Sequence, residues 1–173
     1  MSSGASFEAL VAGVYQPLQR YLRRRVDATT AEDVLGDVLL VMWRRVEDIP
    51  AGAELPWCYG VARGCLANAL RGSDRHLRLV RRLALERPPR EASEDPALDD
   101  ALQSLAAGER ELLRLWAWEH LSAAEIAVVL GVTPNAASLR LHRATTKLKK
   151  ELLRRQGSRV PGHLGERQGE ETR

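Results

Sequence analysis

The segment from Ser122 to Ala144 constrains the fold of this 173-residue chain more than any other. Ser122 and Glu125 have the spacing of a capping box, in which hydroxyl and carboxylate each satisfy a free backbone N–H, so a helix is predicted to start there. Ile126, Val129 and Leu130 give that helix an apolar face, and Ala127 is small where a second helix must cross closely. Gly131 falls where the helix ends in a left-handed residue, which costs glycine nothing because it has no Cβ. Val132 plugs the turn. Thr133 caps the next helix, and Pro134 opens it, since a first turn leaves that N–H unused anyway. Two helices joined by a short glycine-containing turn form a helix-turn-helix.

The second helix is then the predicted recognition helix, and its N-terminal residues should reach base edges in the major groove. Asn135, Ser138 and Arg140 have suitable side chains, since arginine pairs bidentately with guanine and asparagine with adenine. Arg143, Lys147, Lys149 and Lys150 follow at positions suited to phosphate, which contributes affinity without sequence information; His142 lies among them. An ordinary helical hairpin with a basic last helix is the alternative. The coincidence of caps, glycine, small residue and basic helix in one segment favours DNA binding.

Charge supports this reading. The net formal charge is +3, but it is unevenly spread. Residues 138–155 carry 7 basic side chains against 1 acidic, and Arg71, Arg75, Arg78, Arg81 and Arg82 form a second basic cluster. Between them, residues 86–100 carry 2 basic and 6 acidic. Two basic patches flanking an acidic joint suit a polyanion gripped at two places, although a solvated arginine-rich face would look the same.

The joint, Arg87 to Pro96, holds three prolines and almost nothing apolar, and reads as a linker. The glycine-containing end, residues 157–173, reads as a disordered tail. The chain is thus expected to divide into a first domain over 1–85, a linker over 86–97, a second domain over 98–156 and the tail. Both domains read as helical. Phe7, Leu10, Val11, Val14, Tyr15, Leu18, Tyr21 and Leu22 recur at spacings of three and four. Thr30 to Asp33 has the outline of a capping box with Asp for Glu and is predicted to open a second helix. Pro56 is predicted as the first residue of a third helix, with Trp57 in the core. Asp95 and Pro96 are predicted as N-cap and first residue of a helix in the second domain. No stretch alternates with period two between hairpin turns, so the expected fold is all-α, two small helical domains joined by a linker.

Several function classes are disfavoured. No apolar run is long enough for a transmembrane helix, and residues 1–6 lack the features of a secretory signal, so a cytoplasmic protein is expected. Cys58 and Cys65 are too few for a disulfide scaffold and read as buried thiols. No nucleophile elbow, phosphate-binding glycine loop or metal-ligand spacing appears, so no enzyme, catalytic residue, metal or cofactor is expected.

The first half narrows the reading. Ala31-Glu-Asp-Val-Leu-Gly-Asp-Val-Leu-Leu-Val-Met-Trp43, Leu55-Pro-Trp-Cys-Tyr-Gly-Val-Ala-Arg63 and the basic stretch Arg71 to Arg82 resemble the core-binding and promoter-melting domain of bacterial sigma factors. Glu109 to Leu115, Glu125 to Gly131 and Leu139 to Ala144 resemble that family's upstream-element domain. Two such domains with only a short linker between them are similar to the extracytoplasmic-function (ECF) subfamily, over roughly residues 6–155. The resemblance implies binding to the RNA polymerase core at its clamp helices and flap, opening of the minus-10 element by the first domain and reading of the minus-35 element by the second. It also implies control by an anti-sigma factor.

By that resemblance Asp33 and Asp37, four apart on one helix face, meet a basic coiled coil of the polymerase. Without it they would read as a solvated acidic face. Arg63, Asn68, Arg71 and Arg75 are assigned to the minus-10 strand or its phosphates. Asn135, Ser138, Arg140, Arg143 and Lys147 are assigned to the minus-35 duplex. The chain departs from the family pattern at Gly36, where many relatives carry Gln, at Gly64, where many carry Asn, and across Ala137, Ser138 and Leu139. Two other readings stand beside the first: a stand-alone helix-turn-helix regulator, and a degenerate sigma factor that needs a partner to melt promoters.

Overall fold

The computed structural model of the chain describes residues 3–80 and 95–157, with side chains over 7–72 and 95–155. Most of the expected linker, the expected tail and the side chains of Arg75, Arg78, Arg81 and Arg82 lie outside the described residues. Within them the fold is all-α. Helices α1 (Ser3–Arg23), α2 (Ala28–Arg44) and α3 (Glu54–Val80) form the first group, with a 3-10 turn at Val46–Asp48 between α2 and α3. Helices α4 (Pro96–Gln103), α5 (Ala107–Ala117), α6 (Ala123–Leu130) and α7 (Pro134–Gly157) form the second.

Two predicted helix starts need correction. Helix α2 begins ahead of Thr30: Asp27 is its N-cap, and the carboxylate accepts from the Thr30 N–H at 3.0 Å and the Thr30 hydroxyl at 2.8 Å. An aspartate in extended backbone satisfies the free donor there, and the Thr30–Asp33 pair is not needed. Helix α3 starts at Glu54, so Pro56 lies inside its first turn. Proline is tolerated there because those N–H groups have no intrahelical acceptor. Asp95 caps α4 with Pro96 as its first residue, in line with expectation.

The apolar stripes of α1, α2 and α3 meet around Leu18, Tyr21, Leu22, Val34, Val38, Met42 and Cys58, all fully buried. Trp57 packs at the margin of this core, half-buried, with the Arg45 guanidinium over its ring. Burial pushes the Cys58 thiol up to about 12, with the Glu54 carboxylate adding to the effect. Half-buried Cys65 is also raised, first by burial and then by Asp37. Both cysteines are free thiols.

The core does not end with the first group. The same cluster runs on into Leu112, Leu115, Ile126 and Val129 of the second. Helix α3 lies against α6 with Gly60 at the contact: a Cβ there would stand 3.4 Å from the Val129 carbonyl oxygen, in van der Waals contact, with little room for anything larger. Neither group is large enough to bury much surface alone, and the shared core compensates. Around its rim, Arg24 and Arg25, in the turn that follows α1, bind Trp118, Glu111 and Glu119 of the second group. His120, which follows Glu119, adopts a left-handed backbone conformation with φ 55°. A smaller cluster of Leu105, Leu113 and Ala144 fastens α5 to α7.

Candidate nucleic-acid and polymerase interfaces

The helix-turn-helix forms from the residues that predict it. Ser122 Oγ accepts from the Glu125 N–H at 3.3 Å, and the Glu125 carboxylate accepts from the Ser122 N–H at 2.8 Å. The Ser122 hydroxyl, which donates to the same carboxylate at 2.6 Å, and then the Ser122 N–H hold the Glu125 carboxyl below its ordinary value. Gly131 is left-handed at φ 64°. The Val132 N–H donates to the Ala127 carbonyl at 3.0 Å and the Gly131 N–H to Val128 at 3.4 Å, the paired bonds of a Schellman ending. Thr133 Oγ1 then accepts from the Ala136 N–H at 3.2 Å, and α7 begins.

The buried side of α7 is Ala137 and Ala144, supported by half-buried Leu141 and Leu148. Opposite it, Asn135, Leu139, His142 and Thr146 are exposed. Arg140, Arg143 and Lys147 flank that face on one side and Ser138 flanks it on the other, all exposed. The predicted minus-35 residues therefore do not share one side of the helix. Lys147 Nζ donates to Glu109 at 2.8 Å, which ties it to α5 and lowers the Glu109 carboxyl. Arg140 and Arg143 turn toward the junction of the two groups. With Arg63 of α3 they line a cleft of about 360 Å³, whose acidic members Glu109 and Glu111 are engaged by Lys147 and Arg25.

The predicted minus-10 residues lie along α3. Arg63 is exposed at the cleft, while Asn68 and Arg71 are hydrogen-bonded to each other one turn further on. Arg75 is on the same helix, its side chain outside the described residues. Asp33 and Asp37 are both exposed on α2, on the side away from buried Val34, Leu35 and Val38. Leu40 and Trp43 continue that outer face, 46 % and 54 % exposed, and the edge of Trp43 meets Phe7 of α1. Sequence reasoning did not single out Leu40 or Trp43 as surface residues. The available signal was their phase, outside the i, i+3, i+4 stripe of Val34, Leu35, Val38 and Met42.

Residues 96–148 match the family described as Sigma-70, region 4. Over 160 residues the chain is 36 % identical to the RNA polymerase sigma factor CarQ of Myxococcus xanthus, covering 86 % of this chain and 89 % of the relative. Over 162 residues it is 32 % identical to the ECF RNA polymerase sigma factor SigL of Mycobacterium tuberculosis, covering 85 % and 91 %. The chain belongs to the ECF RNA polymerase sigma factors. The solved sigma factor RpoE, in complex with the anti-sigma factor NepR from Bartonella quintana, shares the fold of this sigma factor. Its TM-score is 0.63 at 21 % identity, over 86 % of this chain and 97 % of that one. CnrH in complex with the cytosolic domain of CnrY has a TM-score of 0.60 at 24 % identity, over 88 % and 91 %.

As an ECF sigma factor the protein binds RNA polymerase and promoter DNA. Gly36 and Gly64, where it departs from the family pattern, both face open space, so neither is required by close packing. Gly60 between them is the one of the three that lies against another helix. Among the described residues no helix is long and apolar enough to cross a membrane, and no group of three or more His, Cys, Asp or Glu side chains could hold a metal ion.

Proposed function

We propose that this ECF sigma factor docks on the polymerase clamp helices through the outer face of α2, with Asp33 and Asp37 supplying charge and Leu40 and Trp43 apolar contact. Its α3 residues Arg63, Asn68, Arg71 and Arg75 engage the minus-10 strand, and α7 reads the minus-35 duplex through Asn135 and Ser138, with Arg140, Arg143 and Lys147 at its flank. It acts in the cytoplasm, beside the polymerase, and adds no catalysis of its own. In this reading the first domain spans 1–85, a linker 86–97 and the second domain 98–156.

The exposed polar side of α7, presented by a formed helix-turn-helix, carries this reading, while Arg63 and the α7 arginines share one cleft in this arrangement. The minus-10 and minus-35 elements are separated by roughly 25 base pairs, about 85 Å of duplex at 3.4 Å per step. Residues lining a single cleft cannot reach both. The structure described here is therefore a closed form, and promoter engagement requires α3 to leave α6. An anti-sigma factor that favours the closed form would hold the protein inactive, which accords with the complexes in which both solved neighbours were determined.

The test is co-purification of the tagged protein with core polymerase, followed by run-off transcription. Asp33→Ala with Asp37→Ala should lose core binding and leave the fold intact. Arg140→Ala should keep core binding and weaken promoter-specific transcription. Absence of any core binding by the wild-type protein would refute the reading.

A further inference from the structure

Helix α7 carries a leucine where a DNA-reading helix is expected to carry only polar side chains. Leu139 is 48 % exposed. It stands opposite the buried Ala137 and Ala144, with Asn135 one turn before it and His142 and Arg143 one turn after, all three exposed. A lone exposed leucine elsewhere on a surface would need no explanation. This one sits centrally on the face predicted to enter the groove, beside Arg140 and Arg143, with about half of its surface open.

The charge around Leu139 suits a polyanion, which restricts what can cover it. In the major groove each base pair displays hydrogen-bonding atoms, and thymine alone adds an apolar group, its C5 methyl. A leucine neither donates nor accepts. Set against guanine, cytosine or adenine edges it leaves polar atoms without water or partner, at a cost; set against thymine it buries a methyl. The helix geometry places it within the N-terminal turns, from which base edges are reached. We propose that Leu139 reads the 5-methyl group of a thymine in the minus-35 element, an inference that rests on the sigma-factor reading above. The minus-35 preference of this protein would then be set by an apolar contact at its centre, flanked by the polar contacts of Asn135 and Arg143.

The experiment uses holoenzyme assembled from the full chain and core polymerase. It selects its upstream element from a randomised duplex library, and each thymine of the selected element is then replaced singly by uracil. Uracil removes the methyl and keeps the hydrogen-bonding edge. At one or two adjacent positions the replacement should weaken binding about fourfold, equivalent to ~0.8 kcal/mol for one buried methyl-sized group. Leu139→Ala and Leu139→Ser, which alter no buried contact, should bind thymine and uracil forms equally. Leu153→Ala, at an exposed leucine roughly 21 Å further along the same helix, should keep the fourfold ratio. Equal binding of both forms by the wild-type protein overturns the proposal, as does an unchanged ratio in Leu139→Ala. Loss of core affinity in Leu139→Ala with the ratio intact would make the leucine a protein contact and also overturn it. Selection of no sequence at all would remove the promoter reading together with the proposal, whereas selection without methyl preference removes the proposal alone.

Discussion

Arg25, in the turn that follows α1, places Nη1 3.2 Å from Glu119 Oε1, and the two side chains are 4 % and 3 % exposed. The same guanidinium donates through Nη2 to Glu111 Oε1 at 3.0 Å and through Nε to Glu111 Oε2 at 3.3 Å. It also donates to the Tyr21 carbonyl at 2.8 Å and lies over the Tyr21 ring. Tyr21 in turn donates its hydroxyl to Glu111 at 3.0 Å, and burial, followed by the Glu111 charge, holds that hydroxyl protonated. One arginine thus links the first helix to two carboxylates of the other helical group.

Removing that arginine should both destabilise and open the molecule. Arg25→Ala takes the guanidinium from Glu111 and leaves buried Glu119 only the longer contact to Arg24 at 3.5 Å, a loss of about 3 kcal/mol, the lower end for a broken buried pair. Urea unfolding should show a lowered midpoint, and small-angle scattering in native buffer a larger radius of gyration. If neither moves, the junction is held by apolar contact alone.

The glycines of α3 should respond in opposite directions. Gly60→Leu drives a side chain into the Val129 backbone and should cost about 1–3 kcal/mol, as overpacking does. Gly64→Ala meets open space and should stabilise by about 0.5–1 kcal/mol through helix propensity. Thermal unfolding of the two variants decides it, and the same sign for both would contradict the α3–α6 packing.

Acid should weaken the second group through Glu125 and Glu109. The Ser122 contacts lower the first carboxyl, and Lys147 followed by the Ala106 N–H lowers the second. A carboxyl with a lower value in the folded state stabilises fully above the unfolded-state value, and that contribution is lost as pH falls through the folded-state value. Stability should therefore be flat near neutrality and decline once pH drops below the ordinary carboxylate range. Glu125→Gln and Glu109→Gln should flatten the decline, and melting curves from pH 7 to pH 3 would reveal an unaltered slope if these carboxyls are not responsible.

Thiol chemistry should distinguish the two cysteines. With its thiol pushed up to about 12 and its side chain fully buried, Cys58 carries almost no thiolate at pH 8. Half-buried Cys65 should react with an aromatic disulfide reagent first, and Cys58 only at the rate of unfolding. Simultaneous loss of both thiols in native buffer would count against the packing of α3.

The helix-turn-helix was legible in the sequence because its signals are local. A capping box, a left-handed glycine and a Thr-Pro start each act over three or four residues, and each appears at its predicted place. The start of α2 was misread for a related reason: two local caps competed, and Asp27 rather than Thr30 held the extended backbone. The face of α7 was only partly legible. Lys147 has the charge for phosphate, but its tie to Glu109 joins residues 38 positions apart. Leu139 looked like a departure from a pattern until burial of Ala137 and Ala144 showed which side of the helix faces outward.

By itself, then, the sequence determined the helices, the turn between α6 and α7 and the family, since these depend on short-range backbone preferences and on motif order along the chain. Only the tertiary structure decided that the two groups share a core, that Gly60 rather than Gly36 or Gly64 lies against another helix, and that Arg63 meets Arg140 and Arg143 at one cleft. Those relationships arise between residues tens of positions apart. They depend on apolar surface that neither group can bury alone, and no local pattern records which distant surface will cover it.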